Sequence, residues 1–277
     1  MNPQTFVEQI LFSTLRIELL DDSNQPRGIG TGFLVKADLK SQPNQSIILL
    51  ISNKHVFEGS KKFVVNFHKR KITENEPDLG QIYRYRVGDY SQVYFAHSNP
   101  NVDLACVNIT SIIVQLNTQI YYKSLDQSLF ANFTEPDLDA GQRVVFVGYP
   151  DNRYDLKHNL PIIRSGIIAS HPKVDYNGEQ QFIIDAQVFQ GSSGSPVFLN
   201  IKESQFNRGQ IILGGKESPY LFVGVISATM IRNNVVNFVP TQLVPSTQEV
   251  IGLGLVFKST ALADLINAVV IHYSSTN

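Results

Sequence analysis

The 277-residue chain has one cysteine, Cys106. A single thiol closes no intramolecular disulfide and builds no cysteine-rich zinc site, and such sparing cysteine use suits a reducing, cytoplasmic setting. An excess of charge is also missing: 23 Lys and Arg stand against 24 Asp and Glu, a formal net charge of -1. No broad field is available to grip phosphates, and the densest basic run, Lys69-Arg70-Lys71 after His68, reads as a solvated hairpin tip, so nucleic acid is not an expected partner. Long apolar runs are absent as well. Ile47 to Ile51 falls far short of the roughly 20 residues a membrane span requires. Met1 to Asp22 has no basic start, continuous apolar stretch or small-residue cleavage site, and Glu8 and Glu18 interrupt it. Neither a membrane association nor a secretory leader is expected.

What the chain has is enough apolar sequence, 43%, to bury a core without a metal or disulfide staple. Asn2 can cap a short opening helix with Pro3 at its first position. Short runs rich in Val, Ile, Phe and Tyr follow, separated by Gly, Pro, Asn and Asp, which is the pattern of strands. In the first half they are Leu15 to Leu20, Gly32 to Lys36, Ser46 to Ser52, Lys62 to Phe67, Gln81 to Val87, Gln92 to Phe95 and Leu104 to Ile109. In the second they are Arg143 to Val147, Ile162 to Ser170, Gln181 to Ala186, Pro196 to Asn200, Tyr220 to Thr229 and Gly252 to Phe257. Thr118 to Asp139 has no sustained period and reads as the connection between halves. Ser259 or Thr260 can cap a closing helix with an apolar stripe of Leu262, Leu265, Ile266 and Val269. Two strand-rich halves with almost no interior helix predict an all-β protein of paired barrels rather than alternating βαβ units.

The sharpest local signal is Gln190-Gly191-Ser192-Ser193-Gly194-Ser195-Pro196. Glycines let the backbone turn so tightly that two amide N–H groups can aim at one spot beside a serine hydroxyl, as an oxyanion hole requires. A serine is a weak nucleophile and needs an adjacent base, best a histidine held by a carboxylate. His55 follows the apolar run Ile47 to Ile51, and Asp103 precedes the apolar run that begins at Leu104. The remaining histidines, His68, His97, His158, His171 and His272, show no ligand spacing, so neither a metal nor a cofactor is expected. Gly28, Gly30 and Gly32 lead into a strand rather than a helix, which removes a dinucleotide reading.

The segments Thr31-Gly32-Phe33-Leu34-Val35, Ser52-Asn53-Lys54-His55-Val56, Asp103-Leu104-Ala105 and Gly191-Ser192-Ser193-Gly194-Ser195-Pro196 occur in the order found in trypsin-like serine proteases, and the chain resembles that family from about residue 30 to 230. Ser165-Gly166-Ile167-Ile168 and Ile184-Asp185-Ala186 bring it nearest to bacterial peptidases of the high-temperature-requirement (HtrA) type. The resemblance implies two six-stranded antiparallel β-barrels with short N- and C-terminal helices. Residues 1–125 would carry His55 and Asp103, and residues 126–277 would carry Ser193. It further implies that Ser193 is the nucleophile, His55 the base and Asp103 its orienting acid, with the N–H groups of Gly191 and Ser193 as the oxyanion hole. Ser227 would support Asp103 on a strand that pairs with substrate.

Departures from the family pattern carry expectations too. Ser192 stands where secreted relatives have the Asp that binds a newly cut N-terminus, so activation by propeptide cleavage is not expected. Gln187, six before Ser193, gives no support to Arg or Lys preference, and Thr229 replaces a glycine at the specificity pocket and favours small side chains. Asp151 to Pro161 is an extra loop bordering the site. The resulting expectation is a serine endopeptidase acting on protein or peptide substrates. An activating protein partner is a further expectation, and a catalytically silent binding or scaffold module is the alternative.

Overall fold

The computed structural model describes residues 2–39, 45–200, 220–235 and 246–275, giving only the backbone course for 228–235 and 246–250. The first helix, α1, spans Phe6–Ser13. It begins later than the Asn2 signal suggests, because Thr5 and Glu8 form a reciprocal capping box: the Thr5 hydroxyl accepts the Glu8 N–H at 3.2 Å and the Glu8 carboxylate accepts the Thr5 N–H at 2.9 Å. Two otherwise unpaired donors are thereby satisfied.

A first sheet follows. Its strands are β1 (Thr14–Leu20), β2 (Pro26–Asp38), β3 (Ser46–Ser52), β4 (Lys62–Arg70), β5 (Pro77–Val87), β6 (Tyr94–Ala96) and β7 (Ala105–Asn108), hydrogen-bonded in the order β5-β4-β1-β2-β3-β7-β6. Two short strands join it at the sides, β8 (Ile120–Tyr121) on β4 and β9 (Leu125–Asp126) on β2. The sheet has nine strands, and the three that exceed the expected six, β6, β8 and β9, are only two or three residues long. The second half forms a closed six-stranded barrel of β10 (Arg143–Gly148), β11 (Ile162–Ile168), β12 (Gln181–Asp185), β13 (Pro196–Asn200), β14 (Tyr220–Val235) and β15 (Ser246–Lys258), in the order β10-β11-β12-β15-β14-β13. The all-β architecture expected from the strand pattern is the one observed, with one closed six-stranded barrel and a second sheet, consistent with the trypsin-like double-barrel fold that the resemblance implies.

Among the described residues the remaining α-helices are α2 (Lys54–Phe57), α3 (Thr110–Leu116) and α4 (Ser259–Ser275), and three single 3-10 turns lie at Ser91–Val93, Gln127–Leu129 and Pro150–Asn152. The β-branched run in α3 favours strand by propensity. It turns helical because Asn108 Oδ1 accepts both the N–H and the hydroxyl of Thr110, at 3.0 and 2.6 Å, ending β7 and aiming Ile113 and Leu116 into the core. On α4 the apolar stripe Leu262, Leu265, Ile266 and Val269 is buried, and burying each such side chain contributes on the order of 2 kcal/mol. Ser259 does not act as the expected cap; its hydroxyl donates to Ala131 O at 2.7 Å.

The α4 stripe packs into a core shared by both sheets, with Phe33, Leu49 and Ile51 from the first and Val147, Phe198 and Phe222 from the second. That shared core fixes the ends of β3 and β7 relative to the loop between β12 and β13.

Candidate active site

His55 comes from β3. This strand is buried along nearly its whole length and ends at Ser52, after which Asn53 leads into the single turn α2. The Asn53 side-chain amide donates to Asp103 O at 2.7 Å, tying that turn to the segment before β7. β3 and β7 are direct neighbours, with Ser52 opposite Ala105. Asp103 is pinned between the fully buried Val102 and Leu104. Adjacent strands thus deliver the imidazole and the carboxylate to one place.

There the His55 Nδ1–H donates to Asp103 Oδ2 at 2.5 Å and the His55 backbone N–H to Oδ1 at 3.1 Å. A carboxylate only accepts, so Nδ1 carries the proton of this bond and Nε2 is the ring nitrogen that Asp103 does not engage. Burial pushes the Asp103 carboxyl upward, but the hydrogen bond and charge of His55, the Ser227 hydroxyl and the His55 N–H together outweigh it and hold Asp103 below the ordinary aspartate value. His55 keeps 45% of its side chain exposed, which leaves its free nitrogen accessible from the cleft.

Ser227 reaches the same carboxylate, its Oγ donating to Asp103 Oδ2 at 2.9 Å. The pairing of β14 with β15 explains how: Ile226 faces Val256 and Ala228 faces Leu255, so Ser227 is the extra residue of a bulge. A bulge frees a residue from the ladder and re-aims its groups. Here the freed carbonyl of Ser227 accepts the hydroxyl of Ser193 at 2.9 Å.

Ser193 lies in the turn between β12 and β13, where Gly191 and Gly194 adopt φ of 86° and 87°. Gly194 has no room for a side chain, since a Cβ would stand 1.9 Å from Thr31 O. Of the three serines in this turn, Ser192 and Ser195 are 1% and 0% exposed, whereas Ser193 is partly open. The two rival nucleophiles are therefore shut away from any substrate.

The backbone donors of the turn divide cleanly. Ser192 donates to Phe189 O at 3.0 Å, Gly194 to Ile226 O at 2.8 Å and Ser195 to Ser192 O at 3.0 Å. Among the described residues, the N–H groups of Gly191 and Ser193 are the two from 191 to 195 with no acceptor. Asp151 N–H holds the Gln190 carbonyl at 2.7 Å. In a planar trans peptide the N–H points opposite to the C=O, so this bond turns the Gly191 N–H away from Asp151 and leaves it free.

The sequence matches the family described as Trypsin-like peptidase domain over residues 30–204, the span that contains His55, Asp103 and Ser193. The chain belongs to that family. Among solved structures, the active form of the Rv3671c protease from M. tuberculosis matches 96% of this chain and 87% of its own, at 18% identity and a TM-score of 0.51. The MamO protease domain from Magnetospirillum magneticum matches 93% and 97%, at 13% identity and 0.49. A thermostable serine protease, AL20, from an extremophilic microorganism matches 96% and 98%, at 14% and 0.48. No curated protein matches the chain significantly.

In this trypsin-like peptidase domain an open groove of about 510 Å³ runs beside His55 and Asp103, walled by Phe57, Tyr90 and Tyr94 with Lys54, Glu58 and Lys61 at its edges. Gln187 is exposed, its carbonyl held by the Arg164 guanidinium, which stacks on Phe189 at 5.0 Å. Thr229 lies in β14 opposite Gly254, and its side chain is outside the described residues. Residues 151–161 do form a loop, and its first residues reach the Ser193 turn through Asp151. The sequence reading missed the Ser227 bulge, which depends on strand register, and the bonds made by Thr31. The signal for the latter was a polar, branched residue among glycines ahead of an apolar strand.

Proposed function

We propose that this trypsin-like peptidase domain hydrolyses peptide bonds through an acyl-enzyme on Ser193. The observation that carries the reading is the His55–Asp103 pair at 2.5 Å, linked through Ser227 to Ser193, whose turn leaves two N–H groups unpaired. In the proposed cycle, Ser193 Oγ attacks the carbonyl carbon while His55 Nε2 takes the hydroxyl proton, and Asp103 stabilises the resulting imidazolium. The oxygen that gains negative charge sits between the N–H groups of Gly191 and Ser193, worth roughly 3 kcal/mol for each donor in comparable sites. His55 then gives its proton to the leaving amine, and water repeats the sequence to release the acid. Incubation with a peptide library, with products read by mass spectrometry, tests this: wild type yields new termini that Ser193→Ala does not. Identical product lists refute it.

One observation favours a second reading, that of a resting or silent form. A hydroxyl has one proton, and that of Ser193 goes to Ser227 O instead of His55. Substrate backbone, or a protein partner docking in the cleft, would have to claim the Ser227 carbonyl before the hydroxyl could turn to the imidazole. A silent scaffold module would never make that exchange. A reducing, cytoplasmic setting fits a chain with a single cysteine.

A further inference from the structure

We infer that Thr31, on β2 of the first sheet, is the positioning residue that holds the oxyanion-binding turn of the second barrel in its open-handed form. The inference rests on the peptidase reading above and adds a residue to it.

Thr31 is fully buried, and all three of its polar positions are used across the gap between sheets or at the His55 strand. Its hydroxyl donates to Gly191 O at 2.7 Å and accepts the Tyr149 N–H at 3.0 Å. Its backbone N–H donates to Ser193 O at 3.0 Å. Its carbonyl accepts the hydroxyl of Ser52, the last residue of β3, at 2.7 Å. One residue thereby ties the end of the His55 strand to the carbonyls of both residues whose N–H groups are free in the Ser193 turn.

The hydroxyl closes a ring. From Thr31 Oγ1 one arm fixes the Gly191 carbonyl; the other fixes Tyr149, two residues before Asp151, whose N–H holds the Gln190 carbonyl at 2.7 Å. The carbonyls on either side of Gly191 are both pinned: turning over the peptide between Gln190 and Gly191 breaks the Asp151–Gln190 bond, which Thr31 positions through Tyr149, and the next peptide is held by Thr31 directly. Asp151 and Asn152 sit at φ of 47° and 55°, a conformation that non-glycine residues hold only when surrounding bonds determine it. Packing leaves no slack: a Cβ on Gly148 would lie 2.8 Å from Thr31 Oγ1, and one on Gly191 2.5 Å from Tyr149 O. Ser192, next to Gly191, is buried and its hydroxyl has no partner among the described residues. The hydroxyl of Thr31 supplies the anchorage from the opposite sheet.

The test compares Thr31→Val, which keeps the shape and removes the hydroxyl, with Thr31→Ser, which keeps the hydroxyl. The inference predicts that Thr31→Val lowers kcat roughly 10- to 100-fold while KM holds within about threefold, because the donors it misplaces act on the transition state. Thr31→Ser should restore kcat to within about threefold of wild type. Backbone amide exchange across residues 189–195 should quicken in Thr31→Val and match wild type in Thr31→Ser. Unchanged kcat and exchange in Thr31→Val, or an equal loss in both variants, overturns the inference. If wild type hydrolyses nothing, the peptidase reading fails, and amide exchange still decides the brace. If Thr31→Val does not fold, exchange in wild type decides it: a slow Tyr149 amide with fast Gly191 and Ser193 amides supports the ring, and equal rates refute it.

Discussion

The Ser193 hydroxyl donates to the Ser227 carbonyl oxygen at 2.9 Å, and the Ser227 hydroxyl donates to Asp103 at 2.9 Å. One bulged residue therefore touches both the nucleophile and the acid, through its main chain and its side chain respectively. Removing the side chain alone separates the two roles. Ser227→Ala should leave the Ser193 contact in place and cost Asp103 one charge-assisted hydrogen bond, lowering kcat about tenfold. Steady-state kinetics check it, and a change under twofold would assign Ser227 no part in holding the carboxylate.

Asp103→Asn keeps the shape but lets the imidazole take the wrong tautomer. The expected loss in kcat is on the order of 10⁴-fold at neutral pH. The same variant bears on acid stability. Asp103 is held below its ordinary value in the fold, so its contribution is complete above the unfolded aspartate pKa of about 3.9 and is lost as pH falls through the lower folded value. Wild type should lose stability in that acid window faster than Asp103→Asn in denaturant titrations.

His68 offers a second pH dependence, away from the site. Its ring is buried, with Nε2–H donated to His158 O at 2.8 Å and Phe12 edge-on at 4.9 Å. Burial is the main cause that lowers its pKa, with the nearby His158 adding to it and the carbonyl contact opposing it. Below about pH 6.5 the unfolded chain takes up a proton that the folded chain resists, so stability is full above that pH and falls below it. His68→Gln keeps a donor and cannot titrate. Its stability should exceed the wild-type trend by up to about 1.4 kcal/mol per pH unit of acidification over that window. Parallel pH profiles would contradict the burial argument.

Glu18 and Arg16, both buried on β1, are joined at 2.7 Å, and Arg84 adds a second guanidinium to Glu18 at 2.6 Å. Glu18→Ala strands the Arg16 charge and should cost about 3 to 5 kcal/mol. The pair Arg16→Met with Glu18→Leu leaves no stranded charge and should cost less than that single change. Urea unfolding of both proteins checks the order, and the reverse order would refute the pairing.

Much of this was readable in the residues. The runs Ser46 to Ser52 and Pro196 to Asn200 coincide with β3 and β13, because buried strands bounded by turn residues announce themselves by composition. Residues 110–116, which the strand reading of Leu104 to Ile109 left unassigned, form α3 despite Thr110, Ile112, Ile113 and Val114, since Asn108 and the core decide there against β propensity. The glycine-serine turn 190–196 stood out locally, whereas His55, Asp103 and the roles of Ser193 and Gly191 came from the resemblance, carried by four short motifs in the family's order. The Ser227 bulge, the Asp151 contact and the Thr31 ring arise from pairings between residues 30 to 160 positions apart, which no local pattern encodes.

The most direct test of the peptidase account is reaction of the purified protein with a fluorophosphonate probe, followed by mapping of the modified residue. The account predicts a single adduct on Ser193, absent from Ser193→Ala and from His55→Ala. No adduct on wild type, or one that survives His55→Ala, would contradict it.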